Sequence, residues 1–243
     1  MNTYKNNFFI FISRRNPYIY FYFRLFDYIM KLSALATLVN RAFQFVIINS
    51  EKYHIDESHA LRHSMDVYHF ASQIYNSEVD KHPYLEKQQS VIYGSAILHD
   101  MCDKKYMDEK YGLHDIREYM KDYMANDDLH TMSNIISTMS YSKVKKVGFS
   151  DMGDHQLAYH IVREADLLAG YDVSRSIIYQ MMHEKYKFVE SVGVAHALFD
   201  KRIFNYIPDK LFVTDFSKQL SAKLHEQARD DVQRMVEINK RLL

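Results

Sequence analysis

Hydrophobic and polar positions repeat with a helical period along most of the chain. Between residues 32 and 52, apolar side chains recur at spacings of three and four. The same criterion predicts further helices from Asp56 or Ser58 to about residue 75, from Pro83 through Asp100, over 116–124, over 134–139, over 156–169, from Val173 to about residue 190, and two or three more around Pro208. Residues 140–154 are predicted to form a loop. Strand-like alternation is not convincing beyond the amino-terminal segment, so the pattern predicts a single all-α domain.

The amino-terminal segment has a different character. Residues 8–30 look apolar, but two arginines and a proline within residues 14–17 split the run. A membrane span needs ~20 predominantly apolar residues, and a secretory signal needs a small-residue cleavage site, so we expect neither. A packed extra helix, an interfacial anchor and an upstream extension outside the functional protein all remain open. Because a cleaner helical pattern begins at Met30, we predict an extension over residues 1–29 and one domain over residues 30–243.

Composition narrows the class of protein. Hydrophobic residues make up 47% of the 243 residues and charged residues 26%, as in ordinary soluble globular proteins. Six Gly and three Pro are few, which favours helices over turn-rich β folds. Basic and acidic residues number 31 each, so no overall charge indicates nucleic acid as an obligatory partner. A single cysteine, Cys102, cannot form an internal disulfide, and we therefore expect a cytoplasmic (intracellular) protein. The composition says nothing about oligomeric state.

One histidine falls on the buried face of a predicted helix. His63, Val67, Phe70 and Ile74 follow the spacing i, i+4, i+7, i+11, and His59 lies one turn earlier on the same predicted face. A buried imidazole needs a partner, which can be a metal ion or a neighbouring hydrogen-bonding group. For a lone histidine the second is the commoner case.

Two adjacent ligand-type residues end a strongly apolar helix. His99 and Asp100 follow the run VIYGSAIL, and neighbours on a helix project roughly 100° apart, so both can face one ion. A buried aspartate is costly without a cation or hydrogen bonds. The same dipeptide recurs at His114 and Asp115, but there it lies in a polar stretch, which predicts a surface position.

A fourth candidate ligand is Asp166. It shares an inward-facing stripe with Tyr159, Val162 and Ala169, although by itself it could equally be a surface aspartate paired with Arg163. Four mixed nitrogen and oxygen ligands on three buried helices are better explained by one metal site. The predicted ligands are His63, His99, Asp100 and Asp166. Such a set suits Mn²⁺, Fe²⁺, Co²⁺ or Ni²⁺, and Mg²⁺ less well.

Four segments resemble the HD superfamily of metal-dependent phosphohydrolases, whose pattern is H…HD…D, and within it the small bacterial nucleotide-pyrophosphatase-like enzymes. These segments are DESHALRHSMDV, AILHDMCDKKY, IISTMSYS and VREADLLAGYDVSR, and the resemblance spans roughly residues 32–230. The sequence departs from the pattern in three ways. Asp66 stands where Arg is usual, Ala169 stands where a second Asp is usual, and the stretch from Asp166 to Arg175 is shorter. These departures bear on substrate identity more than on metal binding.

The resemblance implies an HD-type helical domain that hydrolyses a phosphoester or phosphoanhydride, in a nucleotide or another small phosphorylated molecule. The water is activated by a divalent cation (Mn, Co, Ni, Fe or Mg). By the same resemblance, Asp103 acts as general base or water-positioning group and Lys105 neutralises a phosphate. Lys143, Lys145 and Arg175 are further candidates for substrate binding. Asp103 could instead be a helix-end residue, and the lysines could be solvated.

Two other functions stay open at this stage. An HD-type di-iron oxygenase would need two further inward histidines, for which His130 and His160 are available. A non-catalytic or regulatory module would use the pocket without turnover. The sequence contains no Walker loop, no dinucleotide fingerprint and no serine nucleophile elbow.

Overall fold

The helices follow the hydrophobic spacing of the sequence. A computed structural model describes the backbone of residues 17–242 and the side chains of residues 29–242. Within that range the chain is all-α, with no strand. The α-helices are α1 (Pro17–Tyr53), α2 (Leu61–Glu78), α3 (Gln89–Leu98), α4 (Glu109–Met120), α5 (Asn126–Thr138), α6 (Tyr141–Val147), α7 (Gln156–Ala169), α8 (Val173–Met182), α9 (Phe188–Lys201) and α10 (Asp215–Lys240). Short 3-10 helices occupy Pro83–Gln88, Gly153–His155 and Ile203–Asn205.

Helix α3 lies at the centre of the domain. Its residues from Val91 to Leu98 are all buried, and it packs against α1, α2, α5 and α7. A helix that is apolar around its circumference is stable only when neighbours cover every side. Helix α7 is almost as deeply buried and packs mainly on α2. The three helices α2, α3 and α7 therefore contact one another in the core.

The helix predicted to begin before His59 begins later. Helix α2 starts at Leu61, and His59 lies in the turn that precedes it. The side chain of Asp56 does not cap the helix; it accepts hydrogen bonds from the backbone and hydroxyl of Ser58 and so shapes that turn. The expectation that His59 lies on the same helical face as His63 was therefore wrong.

Other predicted boundaries also moved. Helix α3 ends at Leu98, one residue before the predicted ligands. The helix predicted over 116–124 lies at Glu109–Met120, where the Asp108 side chain caps it by accepting from the backbone of Lys110 and Tyr111. The predicted loop 140–154 contains α6. The helix predicted from Val173 to residue 190 ends at Met182.

The long first helix runs through Met30 without a break. Ile29, Met30 and Leu32 are exposed, whereas Leu35 is partly buried against the core and Leu38 is fully buried. By length and composition, Ile29–Tyr53 is apolar enough to cross a membrane, but only weakly, with a mean hydropathy of 1.3. Part of this helix is core, since Ala42 and Val46 are fully buried. The side chains of residues 1–28 lie outside the described part of the chain, so the predicted extension over 1–29 stays a prediction.

Candidate metal centre

Three elements bring the four predicted ligands together. His63 comes from α2, His99 and Asp100 from the turn after α3, and Asp166 from α7. The Nε2 atoms of His63 and His99 are 3.1 Å apart. Asp100 Oδ2 lies 3.3 Å from His63 Nε2 and 3.4 Å from His99 Nε2. Asp166 Oδ1 lies 3.4 Å and 3.6 Å from the same two nitrogens.

These separations suit a single first-row metal ion. Metal bonds of ~2.0–2.2 Å place neighbouring ligand atoms about 3.0 Å apart in octahedral geometry and about 3.4 Å apart in tetrahedral geometry. His99 Nδ1 lies 2.8 Å from the carbonyl oxygen of Ala96, to which it donates, so Nε2 is the ring nitrogen that faces the cluster and would bind a metal ion after losing its proton. The ligand atoms of His63, His99 and Asp166 thus lie within 4.8 Å of one another, and Asp100 Oδ2 lies beside both histidine nitrogens. Imidazole and carboxylate donors in this arrangement fit a divalent cation.

The electrostatics of the cluster show the same need for positive charge. Burial, followed by the charge of Arg175, lowers the pKa of His63 to about 4. Burial alone would also lower the pKa of His99, but Asp100 and Asp166 raise it to about 10. Burial opposes ionisation of Asp166, yet hydrogen bonds from His63 and His99 hold its pKa well below the usual range. A proton on His99 therefore does locally what a bound cation would do more fully.

The turn that carries His99 and Asp100 is held from two sides. Asn49 of α1, itself buried, donates from Nδ2 to the carbonyl oxygen of Met101 at 3.0 Å. Gly112 of α4 packs so closely on Cys102 that a Cβ added to the glycine would lie 2.6 Å from the Cys102 Cβ. These contacts fix the backbone of the turn and with it the direction of both ligands.

A cleft of about 350 Å³ opens above the cluster. His99, Asp100 and Asp166 line it, and His63 lies behind them with its side chain 2% exposed. The predicted residues Asp103, Lys105, Lys143 and Arg175 also line this cleft. The sequence-based candidates for chemistry and for substrate binding therefore share one cavity with the candidate ligands.

Arg175 lies closest to the ligands. Its Nε donates to the carbonyl oxygen of Ser58, and its terminal nitrogen lies 3.4 Å from Asp100 Oδ2. Lys143 forms a short ion pair with Glu109 and donates to the carbonyl oxygen of Ser137 at 2.7 Å. Both cations are thus held at the cleft wall by other parts of the chain.

Asp103 is not where a continued helix would put it. The chain turns after Leu98, and the backbone of Asp103 donates to Asp100 at 3.2 Å within that turn. Its Oδ1 accepts from the backbone of Lys105 at 2.9 Å, and its Oδ2 lies 3.4 Å from Lys105 Nζ. Asp103 and Lys105 therefore form one local unit on the cleft wall.

His59 anchors Lys105 from the other side. Lys105 Nζ lies 2.9 Å from His59 Nε2. Burial, the largest cause, keeps the pKa of His59 well below its usual value, so the neutral ring accepts from the ammonium group. On the far side of the ring, Nδ1 lies 2.6 Å from the Ser58 hydroxyl, which in turn bonds to Asp56. Tyr106 donates to the other oxygen of Asp56 at 2.6 Å.

Other residues considered in the sequence analysis lie outside the candidate site. Lys145, predicted to bind substrate, does not line the cleft and pairs with Asp209 at 2.8 Å. The second His-Asp dipeptide lies elsewhere, as predicted, because Asp115 pairs with Lys52 at 3.0 Å. His130 is exposed, so it is not an inward ligand.

His160 is buried but bonds to Arg163 at 3.2 Å and does not line the cleft. The two extra inward ligands that an oxygenase would need are thus not supplied by His130 and His160.

Sequence reasoning missed part of the cleft wall. Arg202, Tyr141 and Tyr206 all line it, and Tyr179 lies under Lys105, with Nζ 5.1 Å from the ring centroid. None of these residues stands out by spacing, because contacts between segments distant in sequence bring them there. For Tyr141, the sequence offered one signal: it stands two residues before Lys143, a candidate for substrate binding, in the segment SYSK.

Comparison with known proteins adds no relative: no family model, no curated protein and no solved structure matches this chain.

Proposed function

We propose that this chain is an HD-type metal-dependent phosphohydrolase that cleaves a phosphoester or phosphoanhydride, with a nucleotide as the first substrate to test. One observation carries the proposal: two histidines and two aspartates converge at the floor of a cleft whose wall is rich in cations. The cations that line the cleft are Lys104, Lys105, Lys143, Arg175 and Arg202. A metal-type donor set next to several fixed positive charges is suited to a phosphorylated substrate.

His63, His99, Asp100 and Asp166 would hold the ion. A divalent cation bound there supplies Lewis-acid polarisation of a phosphoryl oxygen and lowers the pKa of a water molecule. The mixed imidazole and carboxylate donors favour Mn²⁺, Co²⁺, Ni²⁺ or Fe²⁺ over Mg²⁺, which prefers oxygen ligands.

The basic side chains bind and orient the phosphoryl group in this proposal. Two of the five N–H donors of Arg175 are directed at Ser58 and Asp100, which leaves others for phosphate oxygens. Lys105 is held between the neutral ring of His59 and the carboxylate of Asp103, so its ammonium group is placed before the substrate arrives. A positioned charge costs less entropy on binding than a free lysine would.

Asp103 is the proposed proton acceptor. It lines the cleft, and it is outside the set of four converging ligands. Its Oδ2 lies 3.4 Å from Lys105 Nζ, and a carboxylate so placed at the cleft wall can accept a proton from water. The regulatory alternative differs here, since a non-catalytic pocket has no need of such a group.

The chain offers a matched test, because it contains two His-Asp dipeptides. Asp100→Ala is expected to lose both bound metal and hydrolysis, because it removes a charged ligand. Asp115→Ala removes a partly exposed ion pair with Lys52 and a hydrogen bond from Tyr53, both away from the cleft, and should keep metal and activity. Metal content is measured after purification, and phosphate and pyrophosphate release are followed over a panel of nucleotides with Mn²⁺, Co²⁺ or Ca²⁺. Mn²⁺ or Co²⁺ should support the rate better than Ca²⁺, which acidifies water poorly.

Two outcomes would contradict the proposal. Equal hydrolysis by the wild type and Asp100→Ala would assign the activity to a contaminant. A metal-loaded wild type that cleaves no phosphate ester would favour the regulatory or oxygenase alternatives.

A further inference from the structure

Arg202 is a largely buried cation on the cleft wall. It follows the last residue of α9, and its guanidinium carbon lies 4.5 Å from the centroid of the Tyr141 ring. Its Nε is buried without a hydrogen-bond partner. Within residues 29–242, no carboxylate oxygen lies within ion-pair distance of the guanidinium group. The arginine thus brings a positive charge to the cavity without a carboxylate in ion-pair contact with it.

Two other arginines show how the domain normally treats such a charge. Arg163 is 1% exposed, and Glu164 beside it lies 3.3 Å from its terminal nitrogen. Arg175 in the same cleft lies 3.4 Å from Asp100. Burial by itself lowers the pKa of Arg202, but Tyr206 and Asp166 raise it, and so the side chain stays charged. A desolvated charge with no ion-pair partner is costly, and an anionic ligand offsets that cost.

The surroundings of Arg202 favour a phosphoryl group as that anion. The guanidinium group is planar and presents N–H donors in a fork that matches two phosphate oxygens, and the Tyr141 ring beneath it restricts its orientation. Lys143, two residues from Tyr141, lines the same cleft. Asp166 shares the cleft and is close enough to influence the charge of Arg202. The subsite is therefore next to the candidate metal centre and continuous with it.

We propose that Arg202, supported by Tyr141, forms an oxyanion subsite that binds a phosphoryl group of the substrate or the phosphate product. The inference takes the class of ligand from the proposed function, but binding itself does not require hydrolysis. Arg202 lies outside the four segments that carry the resemblance, and Tyr141, although it lies within the segment IISTMSYS, had no role assigned from the sequence.

The test is a titration of inorganic phosphate into the protein by isothermal calorimetry, once with Mn²⁺ present and once with EDTA. We expect Arg202→Gln to weaken phosphate binding by about 10- to 100-fold, the usual worth of a hydrogen-bonded charge. The matched control is Arg229→Gln. Arg229 also lies over an aromatic ring, 5.0 Å from the centroid of Phe204, but it is outside the cleft. This control should bind phosphate as the wild type does.

A second measurement avoids mutation, in case Arg202→Gln does not fold. The wild type is treated with phenylglyoxal, and modification of each arginine is followed by mass spectrometry. Phosphate should slow the modification of Arg202 and leave that of Arg229 unchanged. Unaltered phosphate affinity in a folded Arg202→Gln protein, or modification of Arg202 that phosphate does not slow, would overturn the subsite.

The two proposals fail in different ways. Metal-dependent hydrolysis with unchanged kcat/KM in Arg202→Gln would leave the proposed function standing and remove the subsite. If phosphate binding depends on Arg202 but the protein has no hydrolytic activity, the subsite stands and the proposed function fails.

Discussion

Gly112 determines how closely α4 approaches the turn that carries His99 and Asp100. A Cβ at this position would lie 2.6 Å from the Cβ and 2.8 Å from the Cα of Cys102, and 2.9 Å from the sulfur of Met107. Rotation of a side chain cannot relieve the contact with a backbone carbon. The substitution Gly112→Ala must therefore displace either the helix or the turn.

The expected magnitude follows from two opposing effects. Alanine stabilises a helix interior by ~0.8–1.0 kcal/mol relative to glycine, and overpacking a tight contact costs ~1–3 kcal/mol. Gly112→Ala should thus leave stability unchanged at best and lower it by up to about 2 kcal/mol. Gly193→Ala provides the control, because Gly193 lies in α9 with nothing within 4 Å of its would-be Cβ. That control should gain about 0.5–1 kcal/mol.

Urea unfolding followed by circular dichroism measures both changes against the wild type. The difference between the two variants isolates the overpacking cost, about 1–3 kcal/mol, which corresponds to a gap in Tm of roughly 2–12 °C for a chain of this size. Gly112→Ala should also retain less Mn²⁺ than Gly193→Ala, because the displaced turn holds two proposed ligands. Equal stability of the two variants would refute the close packing of α4 on the turn.

Three other predictions concern the first helix, the cleft and a buried histidine. A protein that starts at Met30 should fold and keep its metal and activity, as circular dichroism and metal analysis would show; unfolding of this protein would make residues 1–29 a structural element. Asp103→Asn should keep the metal and lower kcat by ~10²–10⁴-fold, whereas Lys105→Ala should mainly raise KM; loss of metal from Asp103→Asn would contradict the assigned role. Burial, and after it Arg163, lowers the pKa of His160 from 6.5 to about 4, so the folded state binds fewer protons than the unfolded state and stability falls as the pH drops from 6.5 towards 4. In His160→Gln this part of the acid destabilisation should disappear, and equal slopes over that pH window would show that His160 titrates normally.

The helical spacing of apolar residues predicted most of the helices and the candidate ligands. Helix α7 occupies Gln156–Ala169, the predicted range, because a buried helix repeats apolar residues on every turn. The same register placed His63 and Asp166 on inward faces, and the structure brings them within 3.4 Å. Context, rather than the dipeptide itself, separated His99 and Asp100 from the surface pair at residues 114–115.

Short elements and long-range contacts were beyond the sequence pattern. Helix α6 has seven residues, of which only Val144 is buried, so it has no apolar stripe to detect. Gly148 follows its last residue and adopts a φ of 81°, but a glycine also occurs in turns and loops and does not by itself predict a helix before it. Arg202 lines the cleft because it directly follows α9. Lys145 does not line the cleft and instead pairs with Asp209. No local spacing encodes such contacts between distant segments.

The proposed ligands come from three parts of the chain, and His63 and Asp166 are roughly a hundred residues apart in sequence. An unfolded chain can offer an ion only part of this set, such as the adjacent His99 and Asp100. The ion therefore binds tightly only after the chain has folded, and it does not initiate folding. Once bound, the ion would act as a crosslink among α2, α7 and the turn after α3. Such a late-formed link slows unfolding while leaving the folding rate almost unchanged. Chelation would therefore shorten the lifetime of the native state more than it delays refolding.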